Sequence, residues 1–395
     1  MDNKAPVPAV WARFLLVWAC FSVFTSFTNT FISTYLIRAT GADGAVMIFN
    51  MILGGVQPFA MVAAVWTTRR LSALISQRAG LCLYAVAFLF LCILSEGAAP
   101  YSGAVGIVLS VANGFFYVPF ALQLLSYTRD NNRDRCYGLQ NAISGASAVA
   151  VPALSGALIS AFGSFEGYRV LFAAGLCLSA LSVALSFRLS PVVLSSKSPE
   201  LKKVTVRMIR SVPVRASLWA TVATGFFNGT LDFFLNALIY SRSGDERLVG
   251  FAASAAGAAY VAASLLYSRF ATVKRRRIFA AAAITAAILA AVSMLFTKSA
   301  AAIFAFQIIM KAASAFFLTP PLNDYFGAVG RDPFLKDFGG EVHTVHEFPY
   351  ALGRVAGILM TMAFMNSAGG EAPAVMIILV IQIIPVLLMK RMERE

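Results

Sequence analysis

Charged residues are scarce in this 395-residue chain. Only 13% of its residues are Asp, Glu, Lys or Arg, whereas 59% are hydrophobic. A soluble domain carries roughly 25% charged residues, and a soluble chain of this length could not bury so much apolar surface. The composition therefore excludes a water-soluble protein and predicts a membrane protein.

Metal-binding, redox and nucleotide-binding motifs are also lacking. The five cysteines form no Cys-x-x-Cys pair, and the only two histidines, His343 and His346, are interpreted as polar residues at the start of a membrane span. No Gly-x-x-x-x-Gly-Lys-Ser/Thr phosphate loop occurs, which excludes direct use of ATP. We therefore expect no metal, no cofactor and no enzymatic activity.

What the chain has instead is a series of twelve apolar stretches, each about as long as an α-helix that crosses a bilayer, roughly 20 residues. The predicted fold class is an all-α membrane protein, in which no carbonyl-rich broken helix suggests a sodium site. The predicted spans are 12–36, 44–66, 78–95, 103–127, 137–162, 168–188, 216–240, 247–269, 278–297, 301–324, 343–366 and 372–390.

The first six stretches recur as the last six. Trp18 corresponds to Trp219, and Pro119 with the Phe-Phe pair before it corresponds to Pro320 with its own Phe-Phe pair, both at the same separation in the chain. Two six-helix halves in tandem are typical of transporters, in which the halves enclose a cavity that opens to either side in turn.

A basic connection separates the two halves. We predict an N-terminal six-helix bundle over 1–189, a linker over 190–215 and a C-terminal six-helix bundle over 216–395. Apolar residues recur in the linker at helical spacing, which predicts a short amphipathic helix suited to an anionic membrane surface. A solvated linker is the alternative. The apolar positions are Leu201, Val204, Met208 and Val212.

The net charge of +14 is concentrated in alternate loops. This asymmetry follows the rule that cytoplasmic loops are basic, so we expect both termini to lie in the cytoplasm. We expect the chain to lie in the cytoplasmic membrane of a bacterium, in contact with lipids. We expect no contact with nucleic acid. The basic set includes Arg69, Arg70, Arg129, Arg133, Arg135, Lys202, Lys203 and the 274–277 run, and the sparse set is Arg38, Arg169, Arg242, Arg247 and Lys298.

Twelve spans in two halves, joined by a basic link, resemble the major facilitator superfamily over essentially the whole chain. That family's loop between spans two and three reads Gly-x-x-x-Asp-Arg-x-Gly-Arg-Arg. Here residues 64–71 read Ala-Val-Trp-Thr-Thr-Arg-Arg-Leu, which keeps the basic pair but lacks the acid and the glycines. The resemblance implies a divergent member that transports a small molecule by alternating access.

Span five partly matches the glycine and proline pattern of that family's proton-coupled exporters. The match favours export over import, whereas ordinary packing of small residues is the alternative. Pro119, Pro152 and Pro320 are predicted to bend their helices. The matching positions in span five are Gly138, Ser147, Val151, Pro152, Ser155 and Gly156.

Ionisable residues in mid-span are functional candidates because a charge in the hydrocarbon region is costly. Arg354 and Lys311 are predicted to bind an anionic group or to exchange ion pairs, and Asp232 or Glu347 to carry a proton. In the alternative interpretation, Glu347, Arg354 and Asp324 form a permanent ion-pair network that ties spans ten and eleven together.

Uncharged candidates complete the predicted site. Asn29 and Asn228 occupy similar depths in the paired spans one and seven, and Phe116 and Phe317 lie beside the repeated prolines as possible cavity walls. We predict a monomeric, proton-coupled secondary transporter of a small organic solute. The alternatives are a lipid or amphiphile flippase, a receptor that transports nothing, or an intramembrane enzyme.

The first prediction concerns topology. If the basic loops are cytoplasmic, single cysteines placed beside Arg69, Lys202 or Arg331 should resist an impermeant thiol reagent in intact cells. Cysteines placed beside Glu96 or Ser243 should react. The reverse labelling pattern would contradict the assignment of both termini to the cytoplasm.

Overall fold

The computed structural model describes residues 9–41, 43–128, 133–192, 198–270, 275–293, 296, 299–365 and 371–392. Within these residues the chain is helical and contains no strand, which confirms the predicted all-α class.

Six long helices form the N-terminal half, in close agreement with the predicted spans. All six are long and apolar enough to cross a membrane. They are α1 (Ala9–Thr40), α2 (Asp43–Arg70), α3 (Ala73–Leu94), α4 (Ser102–Tyr127), α5 (Arg133–Phe162) and α6 (Ser164–Ser186), with a 3-10 helix over Ser95–Tyr101 between α3 and α4.

The C-terminal half follows a short linker helix, α7 (Leu201–Arg210). Spans seven and twelve each consist of two helices, and a short helix, α13, precedes span eleven. The helices are α8 (Val212–Asn228), α9 (Leu231–Ser243), α10 (Glu246–Phe270), α11 (Arg276–Ser293), α12 (Ala300–Gly330), α13 (Pro333–Asp337), α14 (Gly339–Met365), α15 (Glu371–Ile381) and α16 (Ile383–Met392).

Ten spans in the described residues meet a length and hydropathy criterion for crossing a membrane. The two other predicted spans correspond to α11, which is described over Arg276–Ser293, and α14, which carries polar and charged residues along its first half. The lower hydropathy of α14 reflects these polar and charged residues.

Span seven, predicted over 216–240, is interrupted in its middle. Helix α8 ends at Asn228 and α9 begins at Leu231, with Gly229 and Thr230 between them. A side chain at Gly229 would place its Cβ 2.1 Å from Cγ of Arg354. Backbone that departs from a helix within a membrane occurs where protein or a cavity surrounds it.

An aromatic cluster forms the core of the N-terminal half. The rings of Phe21 and Phe116 stack with centroids 3.6 Å apart, and Trp18 stacks on Phe120 at 4.5 Å. The indole of Trp18 also donates a hydrogen bond to Ser144. Stacked aromatic pairs add stability beyond the area that they bury, so this half is held together mainly by apolar contacts.

Helices α5 and α10 join the two halves through small residues. A Cβ on Gly156 would lie 2.6 Å from the carbonyl oxygen of Glu246, and one on Gly250 would lie 2.5 Å from that of Pro152. The hydroxyl of Ser254 accepts a hydrogen bond of 2.9 Å from the backbone N–H of Ala153. The residues of the partial exporter motif thus pack two helices closely together.

Helix α7 is amphipathic, as the linker sequence predicts, but its apolar face packs on protein rather than on lipid. Val204 and Met208 are fully buried in a cluster with Leu335 and Phe338 of the C-terminal half. Leu201, at the other end of α7, packs on a cluster that includes Met61 of α2. The linker helix therefore contacts both halves.

An ion pair fixes the polar side of α7. Nε of Arg207 lies 2.5 Å from a carboxylate oxygen of Asp332, and the guanidinium also lies over the ring of Phe334. The hydrogen bond from Arg207 lowers the pKa of Asp332, whose carboxylate also caps the N-terminus of α13. The pair therefore stays ionised at neutral pH.

The second prediction tests the docking of α7. Met208→Ala removes a fully buried side chain and should cost about 2–5 kcal/mol, which would lower the melting temperature of the purified protein. Ile209→Ala, at the neighbouring position that is 49% exposed, is the matched control and should change stability by less than about 0.5 kcal/mol. Equal melting temperatures for the two variants would contradict the docking.

Candidate functional site

Two polar contacts connect α2 of the N-terminal half to α14 of the C-terminal half. Gln57 meets Arg354 near the middle of both helices, and Arg69 meets Glu341 where the basic loops lie. The contacts are about 20 Å apart along the helices, given a rise of 1.5 Å per residue. One contact is therefore near the membrane centre and the other near its edge.

Arg354 has three neighbours at the central contact. Its Nη2 forms an ion pair with Oε1 of Glu347, two turns earlier on α14. Its Nη1 lies 3.4 Å from Oε1 of Gln57, across the boundary between the halves. The guanidinium also lies 4.6 Å from the ring centroid of Tyr350, a cation–π contact. Only 15% of the Arg354 side chain is exposed, so these groups replace the water that a guanidinium normally binds.

Glycines allow the helices to approach each other around Arg354. A Cβ on Gly54 of α2 would lie 3.3 Å from Cδ and Nε of Arg354. In α8 and α14, a Cβ on Gly225 would lie 2.2 Å from the carbonyl oxygen of Tyr350, and one on Gly353 only 2.0 Å from that of Val222. The Arg354 side chain therefore passes through a space that any larger residue at these positions would narrow.

Arg69 and Glu341 form a two-pronged ion pair at the basic end. Nε and Nη2 of Arg69 lie 2.8 and 2.9 Å from the two carboxylate oxygens of Glu341. The side chains are 1% and 0% exposed, and the guanidinium lies 5.0 Å from the ring centroid of Phe338. Gly340 packs on Leu122 of α4, so the start of α14 fits between helices of the other half.

Sequence analysis missed the partner of Arg69. The loop after α2 lacks the family's acid, and Glu341 supplies a carboxylate from the opposite half, just before the predicted start of span eleven. One feature of the sequence could have indicated this pair. Glu341 is an acidic residue in an otherwise basic region, at the start of a span that also contains Glu347 and Arg354. Its pairing depends on the approach of two helices 272 residues apart in the chain.

A second ion pair between the halves lies at the opposite end. Arg38 of α1 pairs with Glu246 at the start of α10, and its guanidinium lies 5.6 Å from the ring centroid of Phe165. The Glu246 side chain is 8% exposed. The central contact therefore lies between two ion pairs, and each of them joins the halves at one end of the molecule.

The structure brings together some of the predicted charged residues and separates others. Glu347 and Arg354 pair directly, whereas Asp324 lies 2.5 Å from Arg276 of α11. The predicted network of Glu347, Arg354 and Asp324 is therefore divided into two separate pairs. Lys311 is half-buried on α12.

The other predicted site residues lie in varied surroundings. Asn29 is exposed in the middle of α1, and Asn228 is half-buried at the end of α8. Phe116 belongs to the aromatic core of the N-terminal half, and Phe317 packs edge-on against Phe227 in the C-terminal half. The side chain of Asp232, in the first turn of α9, lies outside the described residues.

The predicted prolines lie inside helices. Pro119, Pro152 and Pro320 occur within α4, α5 and α12 respectively. His346 has an alternative role to metal binding, since its Nε2 lies 2.9 Å from the hydroxyl of Thr221 and its ring packs on Tyr325. In the described part of the chain, no three His, Cys, Asp or Glu residues lie close enough together to bind a metal.

Comparison with known proteins gives a consistent result. The sequence profile of the Major Facilitator Superfamily matches residues 14–329. A protein of Bacillus subtilis (strain 168), described as the uncharacterized protein YqgE, is 23% identical over 345 residues, which cover 87% of this chain and 80% of that protein.

Solved transporter structures share the fold. A POT family transporter, crystallised with a thioalcohol-conjugated peptide, superposes with a TM-score of 0.76 at 11% identity, over 97% of this chain and 96% of that one. A D-xylose–proton symporter superposes with a TM-score of 0.72 at 10% identity, over 96% and 95% of the two chains. At these identities the similarity concerns the fold alone.

The third prediction concerns the Arg69–Glu341 pair. Glu341→Gln leaves the Arg69 guanidinium buried without its countercharge, which should cost about 3–5 kcal/mol while α2 and α14 stay together. If α2 and α14 separate, water reaches the Arg69 guanidinium and this cost disappears, so the substitution favours separation of the two helices. We therefore expect a cysteine at Val118, buried beside Gly340, to react faster with a maleimide in a protein that lacks the native cysteines.

Glu200→Gln is the matched control for this experiment. Glu200 pairs with Lys203 on the protein surface, where an ion pair contributes about 0–1 kcal/mol. This control should leave the maleimide reaction unchanged. If Glu341→Gln also leaves it unchanged, the ion pair does not hold the basic end closed.

Proposed function

Because this chain belongs to the Major Facilitator Superfamily and is a secondary transporter rather than an enzyme, we propose that it moves a small organic solute through a proton-coupled site centred on Arg354. The chain is integral to the membrane. The solute, the coupling ion and the direction of transport are the parts of this proposal that experiments must test.

The observation that carries the proposal is the buried ion pair of Arg354 and Glu347 beside Gln57 of the other half. For substrate binding to change the contact between the two halves, the site must contact both of them. Arg354 does so near the middle of α2 and α14. Transporters of this architecture bind their substrates near the bilayer centre, between the repeats.

The ion pairs at the two ends are suited to alternating closure. Arg69 with Glu341 and Arg38 with Glu246 each join the halves on one side of the central contact. Rocking of one half against the other would break one of these pairs at a time. Each charge would then meet water, so the cost of separating the pair remains moderate.

Proton coupling follows from the chemistry of Glu347. Arg354 keeps its positive charge under all physiological conditions. When a substrate binds the Arg354 guanidinium, Glu347 loses its countercharge. Only 6% of the Glu347 side chain is exposed. An unpaired buried carboxylate is costly, so Glu347 then takes up a proton. Asp232 in the first turn of α9 is the second candidate for the proton carrier.

The direction and location of transport are inferred from the sequence. The partial exporter motif of α5 favours export, although its residues also serve to pack α5 on α10. The basic loops favour a bacterial cytoplasmic membrane with both termini in the cytoplasm. We further propose that the chain functions as a monomer, since the central contact is formed within one chain.

The fourth prediction tests the proton carrier in liposomes that contain the purified protein. Glu347→Gln imitates the protonated acid, so it should abolish accumulation driven by a pH gradient while exchange of substrate across the membrane continues. Asp232→Asn should behave in this way only if Asp232 is the carrier instead. Gradient-driven accumulation by both variants at the wild-type rate would contradict proton coupling through these residues.

A further inference from the structure

Two buried hydrogen-bonding groups at the break in span seven lack partners. Thr230, between α8 and α9, is fully buried, and its hydroxyl has no hydrogen-bond partner among the described residues. The same is true of Nε of Arg354. Buried polar groups are almost always hydrogen-bonded, so two such groups in one region require an explanation.

Neighbouring residues show how such hydroxyl and guanidinium groups are satisfied elsewhere. Thr221 and Thr224 of the same span both donate hydrogen bonds to backbone carbonyls of the preceding turn, at 2.9 and 3.2 Å. Arg69 uses its Nε and Nη2 together on one carboxylate. Thr230 lies where the helix breaks, and Arg354 directs Nη1 and Nη2, but not Nε, to Gln57 and Glu347.

The two groups belong to one region of the protein. The stem of Arg354 crosses Gly229, the residue before Thr230. The Thr230 hydroxyl lies 2.6 Å from the Cβ position of Gly357, which is three residues, about one turn, beyond Arg354 on α14. On the other side, the Gly54 backbone approaches Nε of Arg354 so closely that a Cβ there would lie 3.3 Å from it. Both groups therefore lie at the junction of α8, α9 and α14.

The backbone at this junction also favours an anion. Thr230 is the N-cap residue of the 13-residue helix α9, yet its side chain makes no capping hydrogen bond. The first N–H groups of a helix lack acceptors within the helix, and the helix dipole places a partial positive charge there. The hydroxyl of Thr230, the N-terminus of α9 and Nε of Arg354 can all donate hydrogen bonds.

We propose that a small organic monocarboxylate binds at the break in span seven, with its carboxylate held by Nε of Arg354, the hydroxyl of Thr230 and the N-terminus of α9. This inference rests on the proposed transport function and names its class of substrate. Nε of Arg354 has no partner among the described residues, and Nη2 becomes available when Glu347 leaves it, so this edge of the guanidinium can then donate two parallel hydrogen bonds to a planar carboxylate.

The balance of charge explains why a monocarboxylate is preferred to phosphate. Arg354 supplies one positive charge, and the described titratable side chains that face it are Glu347 and Tyr350 on α14 and Tyr117 on α4. A carboxylate on Arg354 and a proton on Glu347 leave the site with the same net charge as the empty site. A doubly charged phosphate would leave an excess negative charge in a buried position.

This exchange fixes the stoichiometry of transport. One carboxylate enters the site, the Arg354–Glu347 pair separates, and one proton binds to Glu347, so each cycle carries one anion and one proton together and moves no net charge. Such a cycle is symport. Under an inward proton gradient it drives uptake, which is the opposite of the direction favoured by the partial exporter motif.

The experiment uses the full-length protein and a panel of monocarboxylates with two to eight carbon atoms, each with its matched amide, together with inorganic phosphate. Binding is measured as the rise in melting temperature with ligand concentration. At least one carboxylate should stabilise the wild-type protein, whereas its amide and phosphate should not. Absence of a carboxylate-specific effect across the panel overturns the inference.

Three substitutions in span seven test the role of Thr230. Thr230→Val should weaken binding of the carboxylate about tenfold, the effect of one hydrogen bond to a charged group, without lowering the melting temperature of the free protein. Thr230→Ser should keep the affinity. Thr224→Val, whose hydroxyl bonds to its own helix, is the control and should also keep it. Wild-type affinity in Thr230→Val, or a fall in the stability of the free protein, overturns the inference.

Arg354→Lys and transport measurements separate this inference from the proposed function. Arg354→Lys should abolish binding of the carboxylate, since an ammonium group cannot form the two-pronged contact. In liposomes, a pH gradient should drive accumulation of the carboxylate, and a membrane potential alone should not. Accumulation driven by the potential overturns the stoichiometry. If carboxylates bind but no gradient moves them, the proton-coupled function fails and the site remains.

Discussion

A charge buried between two helices must be paired, and this constraint determines how the two halves of the protein meet. Arg69 and Arg38 each pair with a carboxylate of the other half, and Arg354 pairs with Glu347 of its own helix beside Gln57 of the other half. A buried ion pair adds little net stability compared with apolar packing, but removal of one partner is costly. The pairs therefore specify which helices must face each other, and bulk stability comes from packing within each half.

The two halves divide this work unequally although they share a fold. In the N-terminal half, Trp18 lies within an aromatic core, whereas its repeat partner Trp219 is 63% exposed on the outside of the C-terminal half. The central charges lie on α14, and the N-terminal half contributes Gln57 and Gly54 to the same contact. At the central contact, one half thus contributes an amide and a glycine, and the other contributes the ion pair of Arg354 and Glu347.

Glycine makes this central contact possible. Around Arg354, Gly229 lets the side chain cross the break in span seven, and Gly225 and Gly353 let α8 and α14 pack at backbone distance. Because these positions carry no side chains, the helices approach closely and their polar groups lie near one another. The same close approach leaves the Thr230 hydroxyl against Gly357, with no hydrogen-bond partner among the described residues.

The sequence alone determined the helical class and the approximate positions of the spans, because apolar length is a local property of the chain. It also placed Glu347 and Arg354 on one helix face, since residues seven apart are aligned along a helix. The spacing of apolar residues also predicted the amphipathic helix α7. The same spacing could not distinguish lipid from protein as the partner of its apolar face.

Only the tertiary structure decided which charges pair. Arg69 pairs with Glu341 and Arg38 with Glu246, in each case across more than two hundred residues of the chain. Asp324 pairs with Arg276, whereas Arg354 pairs with Glu347. At the break in span seven, Gly229 lies against the Arg354 side chain of another helix. Spacing within one helix cannot encode such contacts, because they arise where separate helices cross and the cost of an unpaired buried charge selects the partner.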